Sequence, residues 1–424
     1  MQAIPYAEAL ALVLRHSRPL PAESVPFDAL PGRVLAGAVR AGADEPPAPK
    51  SAMDGYALRA AETRAATSAA PVAFRCERVV GAGPLPVGPA ADAAAAAGPP
   101  GPGEAVRIMT GAWLPPGLDA VVRQEDTRTL PDGRVAVTAP LAPGENVIAR
   151  GAILPAGHLL LEAGAVVTAQ GLGLLAGQGH AAYPAVRRPR VGLLALGDEL
   201  VEPGQPLAPG QLYVSNLYVL EALCRRYGAE PRRRGIVGDD LGRIEAVVRG
   251  ALEDDGTHAP CDVVLTLGGS HHGDFDFAHA VLERVGATLH FRGVRVNFGG
   301  STLFATRGAA LCFGLPGTPM AAWLAFEVLV RPALWRRAGR TRLERPRLSL
   351  PLAERMQVRP GRANFIPARI ETDGPAGPRV VPLGRGSTLA LPPSVLANGI
   401  IHWPGDAEAL EPGTLVPVEL LGEE

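Results

Sequence analysis

The sequence is poor in the features that most readily assign a protein. It holds only four cysteines, Cys76, Cys224, Cys261 and Cys312, with no CxxC pair and no histidine at zinc-ligand spacing. A disulfide framework and a cysteine zinc site are thereby excluded, and buried thiols in a reducing compartment are expected. An excess of one charge is also lacking. The 41 Lys plus Arg nearly balance the 42 Asp plus Glu, so there is no global field to gather nucleic acid or an anionic membrane. No stretch reaches membrane-spanning length without charge or proline, and the opening MQAIPYAEALALVLRHSRPL lacks a basic segment followed by an apolar one. The expectation is a cytoplasmic globular protein with no membrane and no nucleic-acid partner.

What is present is length and apolar content. At 424 residues the chain exceeds one typical core, and about three folded units are expected on length alone. Residues 1–20 read as a helix, with Ala7, Leu10 and Leu14 at helical spacing and Pro19 and Pro21 ending it. Residues 21–50 and 141–184 mix short apolar pieces with Pro and Gly and read as extended linkers, although VVTAQGLGLLAGQG within the second has a helical period. Residues 51–140 carry short apolar runs between Gly and Pro clusters, the pattern of a small β domain, with the Ala-rich stretch AADAAAAAGPPGPG as a loop. Residues 185–335 alternate apolar strands (VGLLAL, RRRGIV, DVVLTL, ALCFGL) with amphipathic helices, as in a parallel sheet covered on both faces. From 340 to 424 short strands return, and a C-terminal β domain is expected. The fold class is α/β plus β, in several domains.

In a parallel α/β sheet, ligands bind at the carboxyl ends of the strands, so the loops leaving them carry most of the functional weight. Four loops stand out: Gly197-Asp198-Glu199, Gly238-Asp239-Asp240, Gly268-Gly269-Ser270-His271-His272-Gly273-Asp274, and Gly314-Leu315-Pro316-Gly317-Thr318-Pro319. Bare N–H groups at Gly268, Gly269 and Ser270 before a helix can cradle a phosphate. A tight strand-to-helix turn reads the same residues equally well. The carboxylates Asp198, Glu199, Asp239, Asp274 and Asp276 shift the balance, because acids beside a phosphate require a cation, and Mg²⁺ held by one or two carboxylates plus phosphate oxygens meets that need. Each Asp taken singly is also a candidate helix N-cap. Gly171, Gly173 and Gly177 lie inside a helical pattern and not after a strand, so a dinucleotide fingerprint is rejected. In the small β domain, SAMDGYA presents Asp54 and RIMTGA presents Thr110, each flanked by small residues.

Together these segments resemble the molybdopterin molybdenumtransferase family, which includes the corresponding domain of gephyrin. SAMDGYA, RIMTGA with LPPGLDAVV and Glu125, GDELVEPG followed by Ser215-Asn216, the GG and GD of the third loop, GLPG with its Pro, and the later GRGST and ANGII fall in family order over nearly the whole chain. The resemblance implies an elongated molecule, usually a homodimer, whose α/β domain binds the pterin. Residues 1–20 would pack on that domain, the two linkers would form one discontinuous β domain, and the active site would lie against the small β domain of the partner subunit. It further implies insertion of molybdate into adenylylated molybdopterin with Mg²⁺ and release of AMP. Asp54, Thr110, Glu199, Asp239 and Asp274 would be the catalytic set, with Glu199 and Asp274 at the metal. Asp198, Ser215, Asn216, Gly268, Gly269, Ser270, Pro316 and Pro319 would contact the cofactor. A molybdoenzyme or another cofactor-synthesis protein is the implied further partner.

The chain departs from the family at defined positions. A Lys-bearing PGKP segment is replaced by Asn297-Phe298-Gly299-Gly300-Ser301, an RGED run by Arg150-Gly151-Ala152-Ile153, and the acid before Ser-Asn by Val214. Thr318 stands for the Asn of GLPGNP, and His271-His272 for a Ser-Val pair. Arg292, Arg295 and Arg307 are the nearby candidates to restore positive charge. His271 and His272 are either anion or metal contacts or ordinary surface donors. An insertase with a rebuilt pocket and a non-catalytic carrier, sensor or delivery paralogue both remain open on the sequence.

Overall fold

The computed structural model describes residues 2–84, 98–254, 259–269, 277–373, 377–383 and 392–422. The chain divides into two compact units, one of Met1–Gly37, Ala163–Leu172 and His180–Glu424, the other of Ala38–Glu162 and Gly173–Gly179. Among the described residues, no helix is long and apolar enough to cross a membrane.

The first unit is built on a six-stranded sheet of β1 (Arg190–Leu196), β2 (Glu230–Val237), β3 (Val263–Leu267), β4 (Thr288–Arg292), β5 (Leu303–Arg307) and β6 (Ala310–Leu315), in the order β2-β1-β3-β6-β5-β4. The strands β2, β1, β3 and β6 run parallel. The parallel arrangement expected from the sequence holds for these four strands, and β5 adds to it an antiparallel strand between β6 and β4 that makes the sheet mixed. The reversal is local. Arg307 pairs with Ala310 across a two-residue turn in which Gly308 takes φ +56°, a conformation that Gly adopts without steric cost.

The near-continuous apolar run of β1 reflects burial on both sides. Its side chains alternate: Val191, Leu193 and Ala195 enter one core, Leu194 and Leu196 the other. The first core is closed by α1 (Tyr6–His16), α2 (Ser215–Arg226), α5 (Pro319–Ala325) and α6 (Arg331–Arg337), the second by α3 (Leu241–Leu252) and α4 (Phe277–Arg284). In α2, Leu217, Leu220 and Cys224 are buried at helical spacing. In α3, Asp240 caps the first turn by accepting from the Arg243 N–H at 2.9 Å, so this acid has the structural role of an N-cap. The helix expected over 1–20 is shorter: it begins after Pro5 and ends where Ser17 Oγ turns back to the Val13 carbonyl at 2.7 Å.

The same unit carries a five-stranded antiparallel sheet ordered Arg347–Pro351, Leu415–Leu420, Gly399–Trp403, Asn364–Glu371 and Arg379–Pro382. It also contains an antiparallel ladder of Ala22–Pro26 with Ala182–Val186. The second unit holds a six-stranded sheet ordered Ala120–Arg123, Gly55–Leu58, Glu104–Ile108, Val72–Val80, Val135–Val137 and Thr127–Thr129. Two short antiparallel ladders belong to it, Val39–Arg40 with Leu159–Leu161 and Lys50–Ser51 with Val147–Ile148. The Ala-rich loop falls largely outside the described residues.

A buried charge cluster holds the helical layer of the first unit together. Between α5 and α6 the helix widens to a π turn over Phe326–Val330, and Glu327, 2% exposed, sits on it. Its carboxylate accepts from Tyr227 Oη at 3.0 Å and from Arg345 Nη2 at 2.8 Å, while Arg331 Nε donates to its carbonyl at 3.0 Å. Burial first, then Arg345, pulls the Arg331 guanidinium below its usual range, with Glu327 opposing. Removing one member of such a cluster leaves an uncompensated buried charge, at a cost of about 3–5 kcal/mol. Glu327→Ala is therefore expected to lower the urea midpoint by that cost divided by the m-value. An unchanged midpoint would contradict the assignment.

Candidate functional site

The carboxyl ends of β1, β2, β3 and β6 meet at a cleft of about 270 Å³. Gly197, Glu199, Ser215, Asn216, Asp239, Gly268, Gly269, Gly317 and Pro319 are among its lining residues. Described residues from all four of the strand-end loops are thus at its wall.

The cleft exists because backbones approach where no side chain fits. Gly268 has φ +88°, and a Cβ there would stand 2.7 Å from the Leu196 carbonyl oxygen. Its own N–H donates to the Leu315 carbonyl at 3.0 Å, so the ends of β1, β3 and β6 are tied at one point. At Gly238 a Cβ would lie 2.2 Å from Asp198 Oδ1, the same oxygen that accepts from the Asp239 N–H at 3.1 Å. Asp198 therefore holds the turn that carries Asp239. Across the cleft, Asn216 Nδ2 donates to the Gly317 carbonyl at 2.5 Å and joins the start of α2 to the turn before α5.

The electrostatics are one-sided. Glu199 and Asp239 line the cleft, and no Lys or Arg does so among the described residues. Burial, then Asp198, then Glu199 raise the Asp239 carboxyl above the ordinary carboxylate range. Carboxylate oxygens grouped this way suit a hard divalent cation such as Mg²⁺, although no group of three His, Cys, Asp or Glu side chains is already gathered as a metal site among the described residues.

The arginines expected to replace the family lysines do not reach the cleft. Arg307 lies beside the start of β6, at the opposite end of the sheet, and pairs with Glu253 at 2.6 Å. Arg295 is exposed on a short strand beside Pro5. Arg292 ends the edge strand β4, three strands from β3, about 14 Å at the usual strand spacing. Asn297, at a family lysine position, instead bonds Phe365 through both its oxygen and its nitrogen, at 2.8 and 2.9 Å. Lys50 is the only lysine in the chain, and its ammonium sits over the Trp113 ring in the second unit.

Asp54 and Thr110 are brought together within the second unit. The antiparallel register Gly55↔Ile108 places them side by side, and Asp54 Oδ1 accepts from Thr110 N at 2.6 Å and Thr110 Oγ1 at 2.7 Å. The backbone bond first, then the hydroxyl, holds the Asp54 carboxyl below its usual range. Pro316 is buried directly after β6 and is absent from the cleft lining. Val214 is buried at the start of α2. Ser270, His271, His272, Asp274 and Asp276 lie outside the described residues. Sequence reasoning missed Leu200, Leu212 and Phe277 as lining residues. Leu200 and Leu212 sit on two-residue strands too short to show a period.

An open α/β sheet with a cleft at its carboxyl edge defines a ligand-binding protein of the α/β class. Comparison with known proteins makes this specific. Residues 4–179 match the MoeA N-terminal region (domain I and II), residues 192–336 a probable molybdopterin binding domain, and residues 349–421 the MoeA C-terminal region (domain IV). The chain is 30% identical over 417 residues to a molybdopterin molybdenumtransferase of Staphylococcus aureus (strain Mu50), covering 98% of this chain and 95% of that one. It is 35% identical to that of Bacillus subtilis (strain 168) over 67% of this chain, a match that spans 63% of the relative's length. The molybdopterin biosynthesis MoeA protein from Pyrococcus horikoshii has a solved structure that superposes with TM-score 0.85 at 29% identity, over 99% of this chain and 100% of that one. The chain belongs to the molybdopterin molybdenumtransferase family.

The electrostatic coupling in the cleft can be checked directly. Asp198→Asn keeps the oxygen that accepts from the Asp239 N–H and removes the like charge that disfavours Asp239 ionisation. A carboxyl-carbon NMR titration in cation-free buffer is expected to show the Asp239 pKa falling toward the ordinary range. No change would leave burial and Glu199 as the causes.

Proposed function

We propose that this chain inserts molybdate into adenylylated molybdopterin and releases AMP, working with Mg²⁺. The observation that carries the reading is the cleft lined by Glu199 and Asp239 with no described basic residue, built in a domain matching a molybdopterin binding domain. An anionic ester entering that field is repelled unless a cation accompanies it. Glu199 and Asp274 are the proposed Mg²⁺ ligands, and Asp239 lines the same cleft as Glu199. The bound ion supplies charge neutralisation at the phosphate oxygens. Val214 carries no polar group to cap α2, whose first turn has no side-chain cap. The N–H groups of that turn are thus available to a phosphate oxygen. Asn216 keeps that turn and the Gly317 turn at a fixed separation. Asp198 keeps Asp239 turned with its loop. Gly269 and Ser270 are the proposed backbone donors, the Gly268 N–H being held by the Leu315 carbonyl, and Pro319 shapes the wall; Pro316 acts from behind it. Asp54, ionised and clamped by Thr110, is proposed as the polar group that orients the oxyanion or its protons. A homodimer, a cytoplasmic location, and transfer of the product to a molybdoenzyme or another cofactor-synthesis protein complete the proposal.

The reaction breaks the bond between the molybdopterin phosphate and AMP, so nucleotide release reports it. With purified protein, molybdate and adenylylated molybdopterin, AMP release is expected to need Mg²⁺ and to stop when the ion is chelated. It should fall at least about 100-fold in Glu199→Gln, the scale on which loss of preorganised charge acts. Binding without release by the unaltered chain would overturn the enzyme reading in favour of a carrier.

A further inference from the structure

The cleft has an apolar side that the acidic set does not use. After Glu199 the chain forms the two-residue strand Leu200–Val201, runs through a loop, and returns as Leu212–Tyr213 in parallel register, Leu200 opposite Leu212 and Val201 opposite Tyr213. Successive residues on a strand face opposite sides. Leu200 and Leu212 therefore share one face, and both line the cleft, as Tyr213 does beside them. The flap is tied down: Tyr213 Oη donates to the Gln205 carbonyl at 2.9 Å, Tyr218 Oη to Glu202 at 2.7 Å, and the Arg233 guanidinium lies over the Tyr218 ring. Backbone bonds from Leu212 N to Glu199 O at 2.8 Å and from Val214 N to Val201 O at 3.0 Å fix the flap beside the metal-ligand candidate. Yet Leu212 is 61% exposed. A rigidly held, exposed leucine in the wall of a ligand cleft is a surface for an apolar or flat group.

We propose that Leu200 and Leu212 form a shelf on which the fused two-ring nitrogen heterocycle of the substrate lies, so that Leu212 determines specificity for a ring-bearing phosphate ester. The inference rests on the function proposed above. The ring can come from either end of adenylylated molybdopterin, the pterin or the adenine, and the test separates them. Binding of three probes to the full chain is measured with Mg²⁺ present: AMP, a free pterin, and ribose 5-phosphate as a ring-free control. Leu212→Asn, at an exposed position, is expected to weaken AMP or the pterin about tenfold and to leave ribose 5-phosphate unchanged, with Leu212→Met restoring affinity. Whichever ring responds is the one on the shelf. KM for adenylylated molybdopterin should rise by a similar factor while kcat holds, the pattern of lost uniform binding. Equal loss for ribose 5-phosphate, no loss for either ring, or no binding of either ring by the unaltered chain would overturn the shelf. Leu212-dependent ring binding without any AMP release would instead defeat the enzyme reading and leave the shelf standing.

Discussion

Everything at the cleft depends on how closely the strand ends approach one another. Leu196, Gly268 and Leu315 close on a single point, with the space for a Cβ at Gly268 already taken by the Leu196 carbonyl. Because side chains are missing there, the loops leaving β1 and β3 pass near each other, and a Cβ at Gly317 would already lie 3.4 Å from the Gly268 Cα. Asp198 uses the same economy at Gly238 to hold Asp239. An alanine at Gly268 would push apart the walls that bring Glu199, Asp239 and the start of α2 to one volume, and one at Gly238 would displace the Asp198 carboxylate that holds Asp239. The chemistry of the site is thus set by backbone packing before any charged group acts.

The first unit handles charge in two contrasting ways. Glu327 is buried and fully answered by Tyr227, Arg331 and Arg345, which fixes the π turn and the helices around it. A buried ion cluster of this kind adds little net stability over an apolar packing but is costly to break. Among the described residues, Glu199 and Asp239 have no basic neighbour in the cleft lining, at a water-accessible edge. That arrangement concentrates negative potential, which the proposed cation would offset. Loss of the family lysines is then less damaging than a count of missing charges suggests if a metal supplies the neutralisation, since Arg292, Arg295 and Arg307 are not among the residues that line the cleft.

Much of this was legible in the sequence, for physical reasons. Strands buried on both faces read as unbroken apolar runs, and the helices over them repeat at 3.6 residues, so the α/β region and its strand-end loops could be located from residues alone. The antiparallel strands over 288–307 were not visible, because Thr288–Arg292 and Leu303–Arg307 are half polar and a single glycine turn reverses the chain. That reversal is why Arg307 faces the wrong end. The Asp54–Thr110 contact depends on a strand register, which no local pattern reveals. Leu212 escaped notice because a two-residue strand has no measurable period.

The central claim is that the cleft binds its anionic ligand only through a divalent cation. Calorimetric titration of AMP into the purified chain, with Mg²⁺ and then with the ion removed by chelation, tests it most directly. Affinity that appears with Mg²⁺ and vanishes without it is the predicted result. Equal affinity in both conditions would contradict the account and require a positive group in the cleft.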